Sequence, residues 1–173
     1  MPIRVLSSTL AAQIAAGEVV ERPVSVVKEL IENSLDAGAE SIIVDVEGGL
    51  CASIKVIDDG CGIPQDELDL ALQHHATSKL SSLNELDNIA TLGFRGEALP
   101  SISSVSKVTI TSRHSDSMSG HSINYDFGSK VSETAVGTSI GTSVLISRLF
   151  ANVPARLKFL RSNSAELSRV KEL

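Results

Sequence analysis

"PVSVVKELIENSLDAGAESIIVDVE", Pro23 to Glu47, changes its apolar period midway, and that change points to the fold class. Up to Asp36 the apolar side chains return every three or four positions, so that Val24, Val27, Leu30, Ile31 and Leu35 share one side of a helical wheel. Pro23 suits the first helical position, where its missing N–H would have no partner, and Gly38 supplies the residue on which helices commonly end. From Ser41 to Glu47, "SIIVDVE", the alternation is that of a strand. The helix also has a polar stripe: Glu29, Asn33 and Asp36 fall at i, i+4 and i+7. Taken alone, such a stripe reads as a surface facing water.

Working outward, "SIKVID" (53–58) is a second β-rich run, joined to the first across Gly48-Gly49 as a hairpin. Ser8 to Ala16 reads as a short helix. Asp66 to His75 returns to a helical period, a short helix is expected around Asn84 to Ala90, and Glu97 to Ser103 is helical. Three or four alternating strands follow, "KVTITSR" (107–113), "HSINYDF" (121–127), "KVSETAV" (130–136) and "TSVLISRLF" (142–150). Pro154 opens a basic helix, and a last one starts at Asn163-Ser164 and runs to Leu173. Helices come first and strands mostly later, instead of alternating throughout. That order implies an α+β two-layer sandwich with helices on one face of a mixed, mainly antiparallel sheet. The chain stops within a helical pattern at "RVKEL", so a fragment of something longer is expected.

Composition narrows the function classes. A chain of 173 residues that is 42% hydrophobic can bury one substantial core, and residues 1–173 read as a single domain. Aromatics make up only 3%, so the core is built from Val, Ile, Leu and Ala, and rings for stacking single-stranded bases are scarce. No apolar leader opens the chain and no run is long enough to span a bilayer, which implies a cytoplasmic protein, or a nuclear one in a nucleated cell. Cys51 and Cys61 lack CxxC spacing, and no disulfide is expected. The net charge of -6 is uneven: residues 1–147 carry net −10 and residues 148–173 net +4. The basic end reads either as a solvated helix face or as a surface for phosphate backbones.

Three further stretches carry chemistry. In "DDGCGI" (58–63) Asp58 ends a strand and precedes Gly60 and Gly62; a carboxylate there can accept from a donor such as an adenine amine while the backbone approaches a flat ligand. In "TLGFRGEAL" (91–99) Gly93 and Gly96 free backbone N–H groups ahead of a helix, as an anion cradle would. In "HATSK" (75–79) Thr77 and Ser78 offer hydroxyls and Lys79 a point charge. No GxxxxGK[ST] occurs, and His74 and His75 have no partners at metal-ligand spacing. Each stretch alone also reads as an ordinary turn. Together they supply most of what ATP hydrolysis needs: an amide oxygen, Asn33, for a Mg²⁺ ion that also binds phosphates, and Glu29 one turn earlier to deprotonate water.

These stretches resemble the N-terminal ATPase region of the MutL DNA mismatch-repair family, within the GHKL superfamily. The resemblance rests on "IAAGEVVERPVSVVKELIENSLDAGA" (14–39), "DDGCGI", "HATSK", "GFRGEAL" (93–99) and "PARLKFL" (154–160), which spread over nearly the whole chain. It implies Glu29 as general base, Asn33 as Mg²⁺ ligand and Asp58 as adenine reader, with Gly60 and Gly62 shaping the pocket. It implies a lid and phosphate loop from Thr77, Ser78, Lys79, Gly93, Phe94, Arg95, Gly96, Glu97, Ala98 and Leu99, and Thr142 assisting Asp58 through water. It further implies ATP and Mg²⁺ as cofactors, and a second domain and a C-terminal dimerisation domain beyond these residues. The implied partners are DNA backbone, a MutS-type mismatch-recognition protein, a downstream nuclease and helicase, and a second copy in a nucleotide-dependent dimer, with no membrane. Three positions depart from the family pattern: His74 stands where Arg is usual, Pro100 where Ala is usual, and Val153 where Thr is usual. Two other readings remain: a DNA-binding or scaffolding module with a vestigial nucleotide site, and another GHKL enzyme such as a topoisomerase subunit or kinase.

Overall fold

The computed structural model describes residues 4–5, 8–49, 51–74, 76, 96–160 and 162–173, and the helix expected around Asn84 to Ala90 lies outside them. In chain order the elements are α1 (Ser8–Val19), α2 (Pro23–Asp36), β1 (Ile42–Glu47), β2 (Ser53–Asp58), α3 (Gln65–Leu68), a 3₁₀ turn (Leu70–Leu72) and α4 (Ala98–Ser104). Then come β3 (Lys107–Arg113), β4 (Gly120–Asp126), β5 (Ser129–Val136), β6 (Gly141–Ser147), α5 (Pro154–Phe159) and α6 (Asn163–Val170).

Local chemistry sets the bounds of α2. Pro23 occupies its first turn after an extended Arg22. Gly38, at φ 73, ends it: the Gly38 N–H donates to the Leu35 carbonyl (3.0 Å) and the Ala39 N–H to that of Ser34 (3.1 Å), which satisfies the last carbonyls of the helix. The inward face is Pro23, Val26, Val27, Leu30 and Ser34. It is rotated from the expected one: Val24 and Ile31 are half-buried and Leu35 is exposed. Apolar period alone leaves this rotation open because Val26 and Val24 are equally apolar; packing against the sheet decides it.

The sheet runs β1-β2-β6-β3-β4-β5. A mixed, mainly antiparallel sheet was expected, and every pairing among the described residues is antiparallel. Short turns make hairpins of β1–β2, β3–β4 and β4–β5, and β6 returns between β2 and β3 running against both. The helix expected over Asp66 to His75 is instead the single turn of α3 and the 3₁₀ turn, with Gln73 extended. Leu68 and Leu72 are buried, so the apolar period is satisfied, but Asp69 between them is drawn to the Tyr125 hydroxyl (3.2 Å) and to Lys130. The core lies between layers: Val26, Val27 and Leu30 of α2 and Ile102 of α4 cluster with Ile54, Val56, Val108, Ile110, Ile123, Val144 and Ile146 of the sheet. Burying each such side chain contributes about 1.5–3 kcal/mol. Among the described residues Phe150 is the single aromatic with a fully buried side chain. Among the described residues no helix is long and apolar enough to cross a membrane.

Two of the three departures find their places here. Pro100 is buried in the first turn of α4, where a missing N–H breaks no helical bond, and the helix runs on to Ser104. Val153 sits at the N-cap of α5, gives no cap hydrogen bond, and packs against the core instead.

The basic C-terminal end is partly spoken for. Arg156 donates to the Val20 carbonyl just beyond α1 (2.6 Å) and lies over the Phe150 ring (5.5 Å). Gly17 leaves room for it, since a Cβ there would fall 2.2 Å from the guanidinium. On α6 the buried Glu166 pairs with Arg22 at 3.1 Å. Arg156→Ala should therefore lower stability by about 1–3 kcal/mol in urea unfolding, through one lost hydrogen bond and one cation–π contact. Lys158→Ala, at an exposed site, should stay within about 0.5 kcal/mol.

Candidate functional site

The register of the sheet builds one polar corner. Asp58 at the end of β2 stands opposite Thr142 of β6, and Thr142 stands opposite Ser112 of β3. The Asp58 carboxylate is held from three sides. Its Oδ1 accepts the Gly60 N–H (3.0 Å) and the Thr142 N–H (3.2 Å), and its Oδ2 accepts the Ser34 hydroxyl (2.9 Å) from α2. Ser112 Oγ accepts the Ile63 N–H (2.8 Å), donates to the Gly141 carbonyl (2.9 Å) and lies 2.9 Å from the Thr142 hydroxyl. A carbonyl only accepts, so Ser112 places its one proton on Gly141 and Thr142 donates to Ser112. The lone pairs of Thr142 are left to accept.

The turn after Asp58 folds over this corner. Gly60 lies against Ala37 at the end of α2, and Gly62 against the Arg113 carbonyl at the end of β3. Asp59 points away and accepts the Ser41 (2.8 Å) and Glu40 (2.9 Å) N–H groups. Those bonds, Ser41's first, hold its carboxyl below the ordinary 3.8. The depressed value stabilises the fold above pH 3.8, and this contribution is lost as pH falls through the lowered pKa. In Asp59→Asn the urea midpoint should change less between neutral and acid pH than in the parent chain.

Glu29, Asn33 and Asp36 are all half-buried on α2, on the shoulder beside its core face, while Lys28 and Leu35 take the exposed side. The stripe therefore adjoins the Asp58 corner, through Ser34, and is not the outermost surface of the helix. Gly96 is described, and a Cβ on it would fall 2.4 Å from the Ala76 carbonyl. His74 Nδ1 lies 3.1 Å from Glu97 Oε2. These two contacts join the start of the "HATSK" loop to the end of "GFRGEAL", with His74 meeting a carboxylate there. Glu97, Ala98 and Leu99 lead into α4, which packs beside α1. Thr77, Ser78, Lys79, Gly93, Phe94 and Arg95 lie outside the described residues.

Sequence reasoning missed Ser34 and Ser112. A serine at an inward position of α2, between Leu30 and the helix end, was the available signal for the first. Nothing local marks Ser112, whose partners come from β6 and the turn after β2. As to metal, no group of three or more His, Cys, Asp or Glu among the described residues could hold an ion. The donors on the stripe are hard oxygens from an amide and carboxylates, which suit Mg²⁺ shared with phosphates and do not suit a metal caged by protein alone.

Comparison with known proteins agrees with this geometry. Residues 21–149 match the family of histidine kinase-, DNA gyrase B-, and HSP90-like ATPases. The chain is 54% identical over its whole length to the DNA mismatch repair protein MutL of Haemophilus influenzae, and spans 28% of that relative. Its fold resembles the Aquifex aeolicus MutL ATPase domain complexed with ADP, with a TM-score of 0.68 and 35% identity over 89% of this chain and 53% of that one. It also resembles the N-terminal domain of a DNA repair protein, with a TM-score of 0.75 and 30% identity over 92% of this chain and 46% of that one. The strand that carries Asp58, the helix that carries Glu29 and Asn33, and β6 with Thr142 all fall within the matched span: the chain belongs to the histidine kinase-, DNA gyrase B- and HSP90-like ATPase family and, within it, resembles the MutL mismatch repair proteins.

Proposed function

We propose that this chain binds ATP with Mg²⁺ where α2, the Asp58–Ile63 turn and the loop entering α4 meet, and serves as the ATPase module of a MutL-type mismatch repair protein. The observation that carries the reading is the Asp58 carboxylate, fixed at a strand end by Ser34, Gly60 and Thr142 beside the helix of Glu29 and Asn33. In this reading Asp58 accepts from the exocyclic amine of adenine, Gly60 and Gly62 let the backbone lie close to the base, and Thr142 assists through its free lone pairs. Thr77, Ser78, Lys79 and the stretch Gly93 to Leu99 receive the phosphates. Asn33 offers its amide oxygen to Mg²⁺, which when bound neutralises phosphate charge. Glu29 orients and deprotonates the attacking water.

Closure of residues 76–100 over the nucleotide, and pairing of two such regions, would signal from a MutS-type recognition protein to a nuclease and helicase on DNA. Since the chain spans 28% of its curated relatives, we assign efficient turnover to a longer chain with a second domain and a C-terminal dimerisation domain. Titration calorimetry with a non-hydrolysable ATP analogue and Mg²⁺ tests the reading: saturable heat supports it. No heat, alongside salt-sensitive DNA binding, overturns it in favour of a DNA-binding module.

A further inference from the structure

We infer that Ser34 is a specificity-determining positioning residue, whose hydroxyl leaves one lone pair of Asp58 Oδ2 to read a 6-amino purine. This rests on the ATP-binding reading of the same corner and extends it to a residue and an atom. A carboxylate oxygen accepts about two hydrogen bonds. Oδ1 has both, from the Gly60 and Thr142 N–H groups. Among the described residues Oδ2 has one, from Ser34, which leaves a position that a ligand N–H can take. A group with one acceptor left beside a closed turn selects a ligand edge that donates. It rejects an edge that presents an oxygen, because two acceptors then face each other.

The Ser34 hydroxyl has a single proton and two acceptors in reach, Asp58 Oδ2 at 2.9 Å and the Leu30 carbonyl at 3.1 Å. The ionised acceptor makes the stronger bond, and the Leu30 carbonyl already serves the helix. Ser34 is 3% exposed, so no water replaces it at low cost. It also follows Asn33 directly in the chain. The bond thus ties the base-reading carboxylate to the helix of the proposed metal ligand and general base, and fixes the rotation of the carboxylate. Without it Oδ2 has two open lone pairs and loses the bond that aims it, while Oδ1 stays held by the Gly60 and Thr142 N–H groups, so the gain from an amine falls and an oxygen edge is affected little.

ATP and ITP, which differ at the purine 6-position by an amine against an oxygen, are the probes, titrated calorimetrically with Mg²⁺ into the 173-residue chain. Ser34→Ala should lower ATP affinity about tenfold and leave ITP affinity within about twofold, so that the ATP:ITP preference falls about tenfold. Ser34→Thr, which keeps the hydroxyl, should hold the preference near that of the parent. In an Asp58→Asn background Ser34→Ala should change the preference no further, because its effect passes through Asp58. Equal losses for both nucleotides, no loss for either, or a full effect that persists without the Asp58 carboxylate overturns the inference. A parent chain that binds neither nucleotide overturns the ATP-binding reading itself, and that failure shows before any variant is made.

Discussion

Replacing Glu29 by Gln should lower ATP turnover about 10²–10⁴-fold, the usual worth of a positioned general base, while nucleotide affinity changes little. The side chain is half-buried on α2 and one turn from Asn33, on the shoulder of the helix beside the Asp58 corner. Gln keeps its length and hydrogen-bonding shape and loses the ability to take a proton. A loss of turnover with binding retained therefore separates base catalysis from damage to the pocket. The assay is phosphate release in a chain as long as the curated relatives, paired with calorimetry of the same variant. Turnover equal to the parent's would remove Glu29 from the mechanism.

The largest effect on stability is expected from Gly141→Ala, at about 3–5 kcal/mol. Gly141 opens β6 at φ 117, a backbone conformation that side chains disfavour, and an added Cβ would fall 2.1 Å from the Asp58 carbonyl oxygen. The Cβ position is fixed by the Gly141 backbone and the atom it meets is backbone, so no rotamer change relieves the clash and β6 must move away from β2. The same movement pulls the Thr142 N–H off Asp58, so nucleotide binding should fall together with the urea midpoint. Gly137→Ala is the control, because a Cβ there meets nothing within 4 Å; it should stay within about 0.5 kcal/mol. A Gly141→Ala chain as stable as the parent would show that the corner yields where its packing says it cannot.

The contrast between these glycines shows why some of the site was legible and some was not. Asp58 was identifiable because a carboxylate at the end of "SIKVID" followed by two glycines is a local pattern, and β2 ends on it. The four-residue spacing of Glu29 and Asn33 put them on one helix face, where both are half-buried, although spacing alone read as a surface facing water. The rotation of that face was not. The helix was expected to bury Leu35 and instead buries Ser34, since a hydroxyl with a carboxylate and a carbonyl in reach costs little inside. The expected helix over Asp66 to His75 likewise became two short turns that end at an extended Gln73, and Asp69 between them meets partners on β4 and β5 that no local pattern announces. The basic C-terminal end read as a solvated face or a surface for phosphates, and packing commits its Arg156 to the Val20 carbonyl just beyond α1.

By itself the sequence determined the kinds of elements, the bounds of α2 and β2, the α+β order and the motif residues, because period, proline, glycine and turn chemistry act within a few residues. Only the tertiary structure decided that β6 lies between β2 and β3, and so that Thr142 and Ser112 stand in a row with Asp58. The Thr142 N–H reaches Asp58 across 84 positions of chain. Such pairings depend on which strand edges remain open after the hairpins have formed and on which helix face the sheet accepts. Those are properties of the packed layers, and no stretch of the chain carries them alone.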